Sequence, residues 1–257
     1  MAPFAISILV LVVVLAGAWL GNLLRSQLPT HHLSAESVDV VKVGTGLMAT
    51  LAALVIAFLV GTANTSLHTK SDEVQRLAAN AIMLDRTLRQ YGPEAGPART
   101  LLRELLGAAV ERVWGKGSPN AVLINPAVVG PTTSHFEKIQ DILMALAPAN
   151  DTQRLLRERA LQLGDQIMQI RWLLLEQTEG SIPVPFLVVL LFWLTGISCG
   201  LSLFAPRNGT VRTVIVIYAI SVASAILLIL EMDRPFGGLL KMSDVPMRTA
   251  LQYLDAP

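Results

Sequence analysis

Three charged residues near the C-terminus, Glu231, Asp233 and Arg234, stand directly against the apolar run Leu227–Leu230, and the chain turns straight after them at Pro235-Phe236-Gly237. An arginine suits the negative end of a helix dipole, but two carboxylates do not. A plain helix stop therefore explains only part of the motif. Carboxylates at the edge of an apolar span need a partner, and Arg234 or the basic residues Arg76 and Arg86 qualify. The expectation is that Glu231, Asp233, Arg234, Pro235, Phe236 and Gly237 couple the last apolar helix to the polar part of the chain.

A second pattern lies in "GTGLMATLAALVIAFLVGTAN". Gly46, Thr50, Ala53, Ala57, Gly61 and Asn64 recur at helical spacing on one face, with Leu47, Leu51, Leu54 and Phe58 on another. A stripe of small, weakly polar residues leaves room for hydrated ions along a helix and suits a pore lining. The same stripe is what membrane helices use to bring backbones together. Thr50, Ala53, Leu54, Ala57, Phe58, Gly61 and Asn64 are the candidate lining, with Leu54 or Phe58 as a hydrophobic constriction that gates by dewetting. Gly17-x-x-x-Gly21 and Gly196-x-x-x-Gly200 fit helix packing better than a pore.

Other reactive types are sparse. His31-His32 has no companion cluster of Cys, His or carboxylates near it, so it reads as a polar loop. Cys199 is the single cysteine and lies within an apolar run, where it reads as a packing residue. Phosphate-binding loops, zinc signatures, nucleophile elbows and dinucleotide fingerprints do not occur. The reading is therefore a non-enzyme with no cofactor and no metal site. A net charge of +1 carries no electrostatic footprint for nucleic acid.

The elements that hold these residues follow from composition. Of the 257 residues 53% are hydrophobic and 15% charged, well short of the roughly 25% charge of a soluble domain. Four windows carry almost no charge: Phe4–Leu24, Val43–Ala63, Pro183–Phe204 and Val211–Leu230. About 20 apolar residues in a helix cross the bilayer core, so each window is a transmembrane helix. The first has no Lys or Arg ahead of it and is read as a retained span, not a cleaved signal.

Residues 64–182 hold thirteen Lys/Arg and thirteen Asp/Glu and read as a neutral, all-helical domain. Val74, Leu77, Ala78, Ala81, Leu84 and Leu88 form an amphipathic stripe, on a helix that can continue directly from the second span. Tyr91-Gly92-Pro93 ends it. Leu101, Leu102, Leu105, Leu106 and Val113 face inward on the next helix. "GKGSPNAVLINPAVVGPTT" reads as a loop, "HFEKIQDILMALAP" as a further helix, and Asn150 or Asp151 caps the last one. Charged pairs such as Asp85-Arg86 are expected on solvated helix faces. Arg171-Trp172 suits an aromatic belt or a domain-to-membrane contact.

The short loops Arg25–Lys42 and Ala205–Arg212 carry four of the 20 Lys/Arg. The positive-inside rule then puts the helical domain and both termini in the cytoplasm. The expected organisation is 1–63 with spans one and two, 64–182 the helical domain, 183–230 spans three and four, and 231–257 a tail with the DRPFGG turn and a short amphipathic helix.

With "GLMATLAALVIAFLVGTA", "LDRTLRQYGPEA", "RWLLLEQTEGSIPVPFLVVLLFWL" and "LEMDRPFGGLLKMS" in this order, nearly the whole chain resembles the bacterial bestrophin-like membrane proteins. A more distant resemblance runs to the bestrophins, which are pentameric, mainly anion-conducting channels. Asp233, Pro235-Phe236-Gly237 and Asp244-Val245-Pro246 match the order in which those chains leave their last span. The resemblance implies a homo-oligomer in the bilayer of the cell's inner membrane, a pentamer, with inorganic ions as the conducted species. It also offers a second role for the turn after Asp233, as a gating or cation-sensing element. Two departures stand out. Gly238-Leu239-Leu240-Lys241 replaces the acidic run that helps animal bestrophins clasp calcium, and Phe58 is the only bulky aromatic on a span where they carry several.

The expectation is thus an all-α polytopic membrane protein, with four transmembrane helices and a helical cytoplasmic domain between the second and third spans. It would assemble as a ring around an ion pathway lined by the second span. The alternative is a membrane-anchored scaffold or sensor whose helical domain binds a protein partner.

Overall fold

A computed structural model of the chain describes residues 3–29, 34–115, 126–176, 183–206, 208–233 and 242–255. Among them there is no strand. The helices are α1 (Pro3–Gln27), α2 (Ala35–Tyr91), α3 (Gly96–Trp114), α4 (Pro126–Ala145), α5 (Asp151–Glu176), α6 (Val184–Phe204), α7 (Gly209–Met232) and α8 (Val245–Asp255). A 3₁₀ turn at Pro93–Ala95 joins α2 to α3. α1, α2, α6 and α7 are each long and apolar enough to cross a membrane. His31-His32 and the Arg234–Lys241 stretch lie outside the described residues.

The chain divides into two compact units, 1–66 with 181–233 and 67–180 with 234–257. α2 runs through both as one helix of 57 residues. Nothing in its sequence interrupts it, since the first Gly-Pro pair after the apolar stretch is Gly92-Pro93. Gly92 takes a φ of 129°, a conformation open to glycine at little cost, and the helix ends at Tyr91.

In the membrane unit, α1 packs on α6 and α7. Val10, Val14, Ala52, Leu59, Leu190, Leu194, Ile226 and Ile229 are buried together. In lipid no hydrophobic force drives such packing, so close van der Waals contact has to supply it. The glycine pairs provide the approach. A Cβ on Gly17 would come within 2.8 Å of the Thr195 carbonyl, and one on Gly200 within 2.6 Å of Thr45 Oγ1. Two hydroxyls of α6 bond back to their own helix, Thr195 to the Leu191 carbonyl at 2.7 Å and Ser198 to that of Leu194 at 2.8 Å. Ser7 instead donates across to the Ala223 carbonyl of α7 at 2.7 Å. Either route avoids an unsatisfied polar group in hydrocarbon.

The helical unit is held by a conventional core. Val74, Ala78, Ala81, Leu84 and Leu88 of α2 meet Leu102, Leu105, Leu106 and Val110 of α3, Ile139 and Leu143 of α4, Ile167 of α5 and Met247 and Leu254 of α8. Val110 fills the place expected of Val113, because it continues the three- and four-residue spacing from Leu102 and Leu106. Asn150 caps α5, its Oδ1 accepting from the Gln153 amide at 2.8 Å. The "PAVVGPTT" stretch, expected as loop, is the start of α4. Pro126 opens that helix where a missing N–H costs nothing, and the helix continues through Pro131. Trp114 Nε1 donates to the Met242 carbonyl at 2.9 Å and fastens the entry to α8.

Candidate functional site

Within its first half α2 presents three faces. Thr45, Ala52, Leu59 and Ala63 are buried and hold the helix in the membrane unit. At about 100° per residue, the small stripe Gly46, Thr50, Ala53, Ala57, Gly61 and Asn64 lies on one side of that buried face. The bulky stripe Leu47, Leu51, Leu54 and Phe58 lies on the other. All seven candidate lining residues, Thr50, Ala53, Leu54, Ala57, Phe58, Gly61 and Asn64, are exposed in the single chain.

The small stripe is therefore not used for packing inside one subunit. A Cβ on Gly46 or Gly61 would meet nothing within 4 Å, in contrast to Gly17, Gly21 and Gly200. The apolar window of α2 is 17% buried, against 33% for α1 and 28% for α6 and α7. Thr50, on the stripe, turns its hydroxyl onto the Gly46 carbonyl, and Thr62, off the stripe, onto that of Phe58, each at 3.0 Å. That leaves the oxygen lone pairs of the stripe on its surface without a fixed charge. Phe58 is not wholly free, because its ring tilts against Phe186 of α6 with centroids 5.8 Å apart. Leu54 has 68% of its surface exposed.

At the C-terminal end of α7, Glu231 is 2% exposed and Asp233 7%. Neither sits at a solvated helix stop, and neither is free of partners. Asp233 closes α7, its amide donating to the Ile229 carbonyl at 3.2 Å. The remaining members of the expected turn, Arg234, Pro235, Phe236 and Gly237, lie outside the described residues. Among the described residues no three His, Cys, Asp or Glu side chains converge as a metal site would need.

In the helical unit one expectation is corrected. Asp85 is not on a solvated face. It is buried and binds two arginines, Arg89 Nε at 3.1 Å and Arg99 Nε at 2.8 Å. Arg86, its neighbour, does face solvent. The missed signal was Asp85 lying between Leu84 and Leu88 on the stripe side of the helix, where a charge needs partners. Lys70 of α2 is likewise buried at 5% exposure. Arg171 of α5 stacks over the Phe136 ring at 5.7 Å. Burial, and then the charge of Arg112, holds its guanidinium below the usual arginine range, and the cation–π contact offsets part of that cost. Trp172 beside it is half-exposed.

Four apolar helices of spanning length, close-packed through small residues, define an integral membrane protein of the all-α class. The domain model of the bestrophin-like family matches residues 12–247, and the chain belongs to that family. The fold agrees with solved structures. A bacterial bestrophin homologue from Klebsiella pneumoniae, in a form carrying one substitution, superposes with a TM-score of 0.66 at 13% identity, covering 96% of this chain and 97% of the other. Two further crystal structures, described as membrane proteins with single substitutions, give TM-scores of 0.65 and 0.60 at 12% and 15% identity. They cover 95% and 94% of this chain, and 97% and 95% of their own. No curated protein sequence matches.

Proposed function

We propose that the protein is a homo-oligomeric channel for passive conduction of inorganic ions, anions by family resemblance, with α2 of each subunit lining a common axis. The observation that carries this reading is the exposure of all seven candidate residues on α2. One subunit cannot enclose water with four apolar helices, whereas a ring of α2 helices can present its small face inward with Leu54 at its border, and leave the rest of the bulky face to lipid or a neighbour. Membership of the bestrophin-like family supports the same arrangement, and a pentamer is the ring size in this reading. Phe58 is engaged with Phe186, so Leu54 is the better candidate for a dewetting constriction.

In this reading the protein resides in the inner membrane, with the helical unit and both termini in the cytoplasm. Glu231 and Asp233, with residues 234–237 that follow them in sequence, couple the last span to the helical part of the chain. Burial of both carboxylates supports a held joint over a solvated stop. Purified protein in planar bilayers tests the function. Stepwise conductance from a particle of several subunits is expected. A monomer by mass measurement that conducts at no voltage overturns the reading.

A further inference from the structure

The end of the membrane unit that carries the loop between α6 and α7 holds a cavity of about 720 Å³ among α1, α6 and α7. Its composition changes along the helix axes. At the loop end it is lined by Arg212 and Trp19 and by the first residue of α7, Gly209. One helical turn deeper, about 5.4 Å, the lining becomes Val216 below Arg212 and Leu15 below Trp19. None of the described lining residues is acidic.

Three features at the polar end are unspent. Ser202 of α6 lines the cavity, has no exposed surface, and its hydroxyl has no hydrogen-bond partner. Its neighbour Ser198 bonds back to its own helix, and such a bond is the usual escape for a hydroxyl in a span. The orphan amides of the first turn of α7 are only partly answered, since Asn208 Oδ1 takes that of Val211 at 2.9 Å. Arg212 is exposed at the rim. A second cation stands close by, for Arg25 of α1 donates to the carbonyl of Ala205, itself a lining residue.

We propose that this cavity is a binding site for the phosphate of an anionic amphiphile, a phospholipid with net negative charge. Arg212 and the α7 N-terminus take the oxyanion, Ser202 donates its free hydroxyl, and the Leu15–Val216 side receives the start of an acyl chain. A helix N-terminus supplies N–H donors and positive potential where an anion needs them, and a buried donor without an acceptor is unfavourable until one arrives. Trp19 is placed as aromatic belts place tryptophan, at headgroup level. The gradient from charge to hydrocarbon over one turn favours an amphiphile over a free ion. This assignment does not depend on conduction, because no α2 residue takes part.

The test uses full-length protein purified in a neutral detergent, with thermal melting and native mass spectrometry as readouts. Dioleoylphosphatidylglycerol is expected to raise the melting temperature and to remain bound, and dioleoylphosphatidylcholine to do neither, since its own cation cancels the charge. Arg212→Gln is expected to weaken the phosphatidylglycerol effect by roughly tenfold or more, with Arg212→Lys retaining most of it. Ser202→Ala removes an unpartnered buried hydroxyl, so it is expected to raise the lipid-free melting temperature slightly and to weaken lipid binding several-fold. Inorganic phosphate matching phosphatidylglycerol would keep the oxyanion site and assign it a soluble source. Equal effects of the two lipids, or undiminished phosphatidylglycerol binding in both Arg212→Gln and Ser202→Ala, overturn the proposal.

Discussion

Gly21 of α1 faces Cys199 of α6 so closely that a Cβ on the glycine would lie 2.3 Å from the cysteine carbonyl and 3.0 Å from Ser202 Cβ. The obstruction is backbone, which cannot rotate away as a side chain can. Gly21→Ala is therefore expected to push α1 from α6 and to destabilise the detergent-solubilised protein by about 1–3 kcal/mol, the usual cost of overpacking. Gly44→Ala is the matched control, since a Cβ there meets nothing, and replacing glycine inside a helix ordinarily stabilises by about 0.5–1 kcal/mol. Thermal melts of the two variants should move in opposite directions.

Asp85 offers a second test, in the helical unit. It ties Arg89 of its own helix to Arg99 of α3, and Arg89 also reaches the Tyr253 carbonyl of α8 at 3.3 Å. Asp85→Ala leaves both guanidinium groups without their buried acceptor. Each arginine is about one-third exposed, and water recovers part of the loss, so the expected cost is about 1–3 kcal/mol. Arg99→Ala should cost less, because Arg89 still answers the carboxylate. A double-mutant cycle between positions 85 and 99 should show coupling well above the few tenths expected of independent sites. Additivity of the two changes would remove Asp85 from its role as the tie.

These two residues also show what the chain discloses before it is folded. Gly17 and Gly21 are legible as a packing pair because their four-residue spacing is itself the mechanism. The four spans and the α2 stripe Val74–Leu88 are legible for the same reason, since apolar length and period are local properties. Asp85 is not legible in this way. Its partner Arg99 lies beyond a turn, and only the fold of α3 against α2 brings the two together. The start of α4 was hidden by the turn-forming residues Gly130 and Pro131, whose local preference the helix overrides. In the same way the exposure of Thr50 through Asn64 is a property of packing. Sequence spacing places them on one side, and only the burial of Ala52, Leu59 and Ala63 leaves that side open.

Acid should act on α8 through Asp244. The carboxylate accepts from Arg248 one turn on, and that hydrogen bond holds it below the usual carboxylate range, while Arg248 is raised in return. For an acid with a lowered folded pKa, the contribution is complete above the unfolded value of about 3.9 and is lost as pH falls through the folded value. Both groups are solvated, so the effect is small in magnitude but has a defined sign. Asp244→Asn is expected to melt slightly below the parent at pH 7 and together with it at the acid end. A gap that persists or widens in acid would assign the stabilisation to something other than this pair.

The α2 assignment is tested most directly by accessibility in the assembled protein. With Cys199 replaced by serine to remove the native thiol, single cysteines go in at Thr50, Ala53, Ala57 and Gly61 on the small face, at Leu51 on the bulky face, and at Ala52 and Leu59 on the buried face. A charged, water-soluble thiol reagent reacts with thiolate in contact with water and not with thiol in lipid or protein. Cysteines on the small face are expected to react and to change conductance, most strongly at Ala57 near the middle of the span. Those at positions 52 and 59 should stay inert, and Leu51→Cys should react slowly, because its face is left to lipid or a neighbouring subunit. In the proposed ring Leu54 borders the small face, so Leu54→Ala is expected to raise conductance several-fold, and Leu54→Asn to keep the gate wet. Reaction confined to the bulky face, with the small face protected, would turn the helix over and place the small stripe between subunits.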